Sequence, residues 1–299
     1  MIRSPRRAAN DITQILNMVY GADRFDRGPV DVENLAMEYS RQISPTEYID
    51  RVVAEELDGC EGVLIPGVNR PRKWAVMYDK KQNPGRRAYT VAHELGHFIL
   101  HRHLVDQVGD FDGGFYCSKD AVELGAGTNI EHEANLFAAT LLMPFDDFRK
   151  IIPSDQKTTL SRLGEAATRY GVSLTAATLR WLEYTTARAL VISSTDGFAL
   201  WAKPSAAALR SGRFIRTKNE MFEMPEGSLA VQNINSEDAI LGVRQPEGVW
   251  FPEAVTEMCM KTERYGFELT LLVFDGSGPA LQFEGDEPED TFAQFFKSR

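Results

Sequence analysis

The chain has 299 residues, 43% hydrophobic and 25% charged, which excludes a disordered, fibrous or collagen-like protein and provides apolar surface for about two domains of roughly 150 residues. Its 43 acidic residues outnumber 33 Lys and Arg for a net charge of −10, which disfavours a general electrostatic hold on nucleic acid while leaving room for a local basic patch. Cys60, Cys117 and Cys259 lie far apart with no Cys-x-x-Cys pair, arguing against a disulfide framework or a thiolate metal cage and fitting a reducing cytosol.

Asn10, Asp11, Gln14 and Asn17 interrupt the apolar residues behind the basic amino terminus, so no export signal is expected. No apolar run reaches the roughly 18 residues that cross a bilayer, and a soluble, cytoplasmic protein without a membrane partner follows as the expectation. Ile12, Ile15, Leu16 and Val19 recur at helical spacing over 8–20, and after Gly28 and Pro29 a second helix runs through Val32, Leu35, Ala36 and Tyr39. Two short strands, 62–65 and 74–78, read as a β-hairpin around the turn at 66–73. A strongly apolar helix covers about 89–100. An irregular Gly/Asp-rich stretch, 109–127, separates it from a helix at about 130–143 that Pro144 stops.

Residues 158–184 read as two short helices around Gly171-Val172-Ser173, the size of a helix-turn-helix unit, with Arg180 and Arg188 as candidates to face phosphate. Two helices that simply pack beneath their neighbours are at least as good a reading, and DNA binding is not expected. Strand-like runs at 189–193, 229–232 and 269–274 make 187–299 a candidate α+β domain in which Trp201 and Trp250 belong to a core. The acidic segment 284–290 reads as a solvated tail or loop. The organisation expected is thus a catalytic domain over 1–153, a helical segment over 154–186 and an α+β domain over 187–299.

All five histidines fall between 93 and 132. His93-Glu94-Leu95-Gly96-His97 is His-Glu-x-x-His, and on a helix positions i and i+4 share a face, so both imidazoles can bind one Zn²⁺ while Glu94 reaches its water. Val91, Ala92, Leu95, Ile99 and Leu100 make this helix a buried one, where neutral imidazoles need a partner. Catalytic zinc usually takes a third protein ligand. His103 has the metzincin spacing, but Leu100 stands where that pattern has the glycine that ends the helix. Glu131 shares a helical face with Ala134, Asn135, Ala138 and Leu142 and would face the first helix; Glu133 is the runner-up. Asn135 is placed to hydrogen-bond a liganding imidazole and fix its tautomer.

The order of helix, helix, hairpin, Arg86-Arg87-Ala88-Tyr89-Thr90-Val91-Ala92-His93-Glu94-Leu95-Gly96-His97 and then Glu131-x-Glu133-Ala134-Asn135-x-Phe137-Ala138-Ala139-x-Leu141-Leu142-Met143-Pro144 resembles the ImmA/IrrE metallopeptidases over about residues 10–183. His132 departs from that pattern, many relatives having a small basic or polar residue there. The resemblance implies an α+β, gluzincin-like zinc peptidase domain with metal ligands His93, His97 and Glu131 and the catalytic base Glu94. It also implies a helix-turn-helix transcriptional repressor as protein substrate, whose cleavage relieves repression of a stress, mobile-element or toxin-antitoxin-like operon. Zn²⁺ is the metal it implies, with Mn²⁺ an alternative for such a nitrogen and oxygen donor set. In the radiation-response members the region matching 187–299 resembles a GAF-type sensor domain. The competing readings are a regulator that binds its repressor without cutting it and a DNA-binding regulator. Candidates to stabilise an oxyanion are Tyr89, Tyr116, His101 and His103; Cys117 is a candidate thiolate gate for the zinc; and strand 74–78 is the expected edge for an extended peptide.

Overall fold

The computed structural model describes residues 4–69, 71–106, 114–118, 127–217, 220–232, 236–262 and 266–276. Two compact units emerge, one made of Met1–Asp147 with Ala167–Ser173, the other of Phe148–Ala166 with Leu174–Arg299.

In the first unit, helix α1 (Pro5–Tyr20) starts on a proline, whose missing N–H costs nothing at a helix start, and buries Ala8, Ala9 and Ile12 on one face. Helix α2 (Val32–Ile43) is capped by Asp31, whose side chain accepts from the backbone N–H of Asn34. Strands β1 (Glu47–Glu55), β2 (Cys60–Pro66) and β3 (Arg72–Asp79) follow, then α3 (Pro84–His101), β4 (Phe115–Ser118) and α4 (Gly127–Leu142). The expected hairpin is β2 and β3, antiparallel from Gly62 opposite Tyr78 to Pro66 opposite Trp74.

The sheet order is β1-β3-β2-β4, with β1 parallel to β3 and β4 antiparallel to β2. This corrects the expectation for 74–78: β3 is paired on both sides, so its backbone groups are spent and it cannot be an edge. Among the described residues the edges are β4, next to β2, and β1 at the other end. Strand β1 escaped the sequence reading because Asp50, Arg51, Glu55 and their neighbours break its apolar alternation, and only Ile49 is fully buried.

Val63, Leu64, Trp74 and Val76 of the sheet and Val91, Leu95 and Phe98 of α3 are buried, each such side chain contributing about 1.5–3 kcal/mol. Trp74 meets Phe98 edge-on at 5.8 Å and lies parallel to Phe115 at 6.5 Å. α3 and α4 approach so closely at Gly96 that a Cβ there would stand 3.0 Å from Cδ1 of Phe137 and 3.3 Å from the Cα of Ala134. Residues 167–173 join this unit through Tyr170, which is buried, meets Phe25 edge-on at 4.8 Å and donates to Asp147 Oδ2 at 2.8 Å.

Helices α5 (Phe145–Ile151), α6 (Leu160–Tyr170) and α7 (Leu174–Leu182) come next, the division between the units passing through α5 and α6. The second unit then builds an antiparallel sheet from β5 (Ala189–Thr195), β6 (Phe198–Pro204), β7 (Val243–Gln245), β8 (Val255–Thr262) and β9 (Phe267–Phe274) in the order β6-β5-β9-β8-β7. Two short helices, α8 (Ala206–Arg210) and α9 (Glu237–Leu241), are capped by Ser205 and Ser236. Thr195 pairs with Phe198 across Asp196-Gly197, both at positive φ, 49° and 81°, the requirement of a two-residue hairpin turn.

Residues 229–232 form a turn and not the expected strand; Leu229 instead packs with Ala239 and Cys259. Trp201 and Trp250 are core residues, as expected. Arg180 and Arg188 do not face outward towards a phosphate. Arg180 is buried beside Glu183 at 3.0 Å, and Arg188 is buried with its two terminal guanidinium nitrogens on Glu253 at 2.7 and 3.0 Å. No helix among the described residues is long and apolar enough to cross a membrane. The acidic segment 284–290 lies outside the described residues.

Candidate metal centre

Asn83 starts α3 by accepting from the backbone N–H of Arg86 at 2.8 Å, with Pro84 at the first helical position. From Thr90 to Phe98 every residue is buried, so the His-Glu-x-x-His segment points its polar groups into the protein: His93 is 6% exposed, and His97 and Glu94 are 0% exposed. α4 packs against α3 and brings Glu131 over the two imidazoles.

Nε2 of His93 lies 3.2 Å from Glu131 Oε2, Nε2 of His97 lies 3.1 Å from Glu131 Oε1, and the two Nε2 atoms stand 2.9 Å apart. One donor atom from each residue falls within 4.8 Å of the other two, a grouping that can hold a metal ion. Two imidazole lone pairs facing each other beside a carboxylate repel unless a cation or a proton lies between them, and the nitrogen and oxygen donor set suits zinc.

The opposite nitrogens are also held. His93 Nδ1 is 3.0 Å from Oδ1 of Asn135, which also accepts from Tyr89 Oη at 3.1 Å. Asn135 therefore holds the imidazole that its helical position pointed to. His97 Nδ1 is 3.1 Å from Nδ1 of His101, whose Nε2 is 2.9 Å from Glu133 Oε2. Phe115 of β4 stacks on the His97 ring at 5.0 Å with an interplanar angle of 15°.

These contacts set the proton affinities. Burial works against protonation of His93, but the hydrogen bond and charge of Glu131 outweigh it and raise its pKa. For His97 burial, aided by neighbouring His93 and His101, prevails over Glu131 and lowers the pKa to about 4. Burial likewise lowers His101 despite Glu133. Glu131 would be raised by burial, yet the facing imidazoles of His93 and His97 hold it well below the usual carboxylate range.

Glu94 sits one residue round α3 from His93, against β2. A Cβ at Gly62 would collide with the methyl of Thr90 and stand 2.9 Å from Oε1 of Glu94, so glycine is what lets the strand lie against the base. Cys60, at the start of the same strand, has its thiol pKa raised by burial and by the charges of Glu94 and Asp79, which keeps it a protonated thiol.

Glu133 is turned to His101 and not to the His93 and His97 pair. His103 is exposed in the short turn after α3, away from the group, and His132 is exposed on α4. His101 is committed to His97 and Glu133, which removes it from the candidates for an oxyanion donor. The side chains of Tyr116 and Cys117 lie outside the described residues, as do 107–113 and 119–126. The sequence reading missed the roles of His101 and Phe115. His101 could have been found, being one further i+4 step on the His93 and His97 face; Phe115 is brought in by strand pairing that leaves no local signal.

Residues 51–182 match the family described as the IrrE N-terminal-like domain, a peptidase family. Among curated proteins none matches the chain significantly. Among solved structures, a Mycobacterium tuberculosis transcriptional regulator is similar in fold, with a TM-score of 0.51 and 14% identity over 90% of this chain and 75% of that one.

Proposed function

We propose, from the match of residues 51–182 to the IrrE N-terminal-like peptidase family, that this protein is a zinc-dependent endopeptidase that cleaves a helix-turn-helix transcriptional repressor. Repressor cleavage would switch on a stress, mobile-element or toxin-antitoxin-like operon. The observation that carries the reading is the convergence of His93, His97 and Glu131 donor atoms within 4.8 Å, with the buried Glu94 beside them on the same helix.

His93, His97 and Glu131 would hold the zinc, leaving its remaining position to water and substrate. When bound, zinc supplies Lewis acidity that polarises a peptide carbonyl and lowers the pKa of water towards about 7. Glu94 takes the water proton and delivers it to the departing amine, a general acid-base contribution of about 10²–10⁴ in rate. Asn135 fixes the His93 ring so that its Nε2 lone pair points inward. β4, an edge of the sheet among the described residues, offers backbone donors and acceptors to an extended peptide, the arrangement by which strand addition presents a bond.

Incubation with helix-turn-helix repressors from the same genome, beginning with any encoded next to this chain, tests the reading. Cleavage by the zinc-loaded wild type, lost in Glu94→Ala with zinc retained, is the expected result. A solved transcriptional regulator shares the fold across 90% of this chain, and the second reading is a transcriptional regulator that acts without cleavage. A buried general base has no use in that reading, so Glu94 favours the first.

A further inference from the structure

We propose that Glu133 and His101 form a directional hydrogen-bond relay that sets the tautomer of His97 and thereby prepares its Nε2 for the metal; the inference rests on the zinc reading above. His97 Nδ1 and His101 Nδ1 stand 3.1 Å apart, and His101 Nε2 stands 2.9 Å from Glu133 Oε2. A neutral imidazole carries one donor and one acceptor nitrogen, whereas an ionised carboxylate only accepts. Glu133 therefore requires the proton of His101 on Nε2, which leaves Nδ1 of His101 with a lone pair. That lone pair can accept only if His97 carries its own proton on Nδ1. The Nε2 of His97, the atom that faces His93 and Glu131, is then a free lone pair.

The reverse assignment would place a proton on His97 Nε2, where it would block the metal, and would aim a lone pair of His101 at a carboxylate. With His101 a neutral ring, the contacts from Glu133 to His97 can all be made in one direction only. The site thus holds its two imidazoles by different means from the same helix α4: His93 directly through Asn135, His97 at one remove through His101 and Glu133. His97 is 0% exposed and Phe115 lies flat against its ring, so no water can substitute for His101 without moving a packed side chain. His101 and Glu133 are positioning residues, acting on the metal through His97.

The test is zinc affinity, measured by competition with a chromophoric chelator, for the wild-type chain, His101→Phe, Glu133→Leu, Glu133→Gln and the double variant His101→Phe/Glu133→Leu. The ¹⁵N spectrum of the wild-type histidines with zinc bound completes it. Loss of such an outer partner typically weakens binding about 10–100-fold, and that loss is expected for His101→Phe and Glu133→Leu, with no further loss in the double variant. Glu133→Gln, whose amide oxygen can still accept, is expected to lose less. His101 should show a neutral ring protonated on Nε2. Equal zinc affinity in wild type and His101→Phe, additive losses in the double variant, or a His101 proton on Nδ1 would overturn the relay. The wild-type spectrum reads the tautomer even where a variant fails to fold. Wild-type protein that takes up no zinc would instead overturn the metal reading on which the relay depends.

Discussion

Oδ1 of Asn135 lies 3.0 Å from Nδ1 of His93 and 3.1 Å from Oη of Tyr89, so one amide oxygen, four residues beyond Glu131 on α4, fixes the ring that faces that carboxylate. Replacing Asn135 by Leu should weaken zinc binding about 10–100-fold. Tyr89→Phe, which removes only the second donor, should have a smaller effect. Chelator competition measures both, and equal affinities across the three proteins would remove Asn135 from the site.

Gly62 allows β2 to approach Glu94. Gly62→Ala is expected to displace the Glu94 carboxylate without touching a metal ligand, so zinc content should be unchanged while turnover falls by up to about 100-fold, the scale on which a misplacement of about 1 Å acts. Single-turnover cleavage beside elemental analysis distinguishes this from loss of metal.

At the crossing of α3 and α4, Gly96 faces Phe137 at a distance that a methyl group can enter only if the ring yields. Gly96→Ala gains about 1 kcal/mol of helix propensity, which offsets much of that strain, so its melting temperature should change little. Gly96→Val adds bulk without that gain and should destabilise the first unit by about 1–3 kcal/mol. Equal melting temperatures for Ala and Val would show that the crossing is looser than described.

How much of this was legible in the sequence differs from element to element. The helices α1 to α4 announce themselves through apolar spacing, and the His93 and His97 spacing needs only helical geometry to become a shared face, with Glu94 one residue round from it. The Asn135 to His93 contact was legible for the same reason. Long-range pairing was not: nothing local in 74–78 says that β1 will add to its far side, and a charged strand such as β1 is stabilised by its neighbours more than by its own pattern. In the second unit the Asp196-Gly197 hairpin signal was present but overlooked, while 229–232, apolar and strand-like, is held as a turn by the caging of Glu257, which accepts from the Leu229 N–H at 2.9 Å.

The second unit should lose stability in acid through Glu253. The hydrogen bond from Arg188, acting against burial and aided by Arg213, lowers the Glu253 pKa below its usual 4.5. A carboxylate depressed in the folded state stabilises above the unfolded pKa and loses that contribution as pH falls through the folded value, so the stabilisation should be intact at neutral pH and fade below about pH 4.5. Glu253→Leu leaves Arg188 buried without its counter-charge and should cost about 3–5 kcal/mol at neutral pH. Thermal melts at pH 7 and in acid read both effects, and a variant as stable as wild type at pH 7 would contradict them.

The most direct test of the central claim is the zinc content of the purified protein by elemental analysis, in wild type, Glu94→Ala, His97→Ala and Glu131→Ala. About one zinc per chain in wild type and Glu94→Ala, with loss in His97→Ala and Glu131→Ala, is the result predicted for a three-ligand centre with a separate base. Metal-free wild-type protein, or full zinc occupancy in Glu131→Ala, would contradict it.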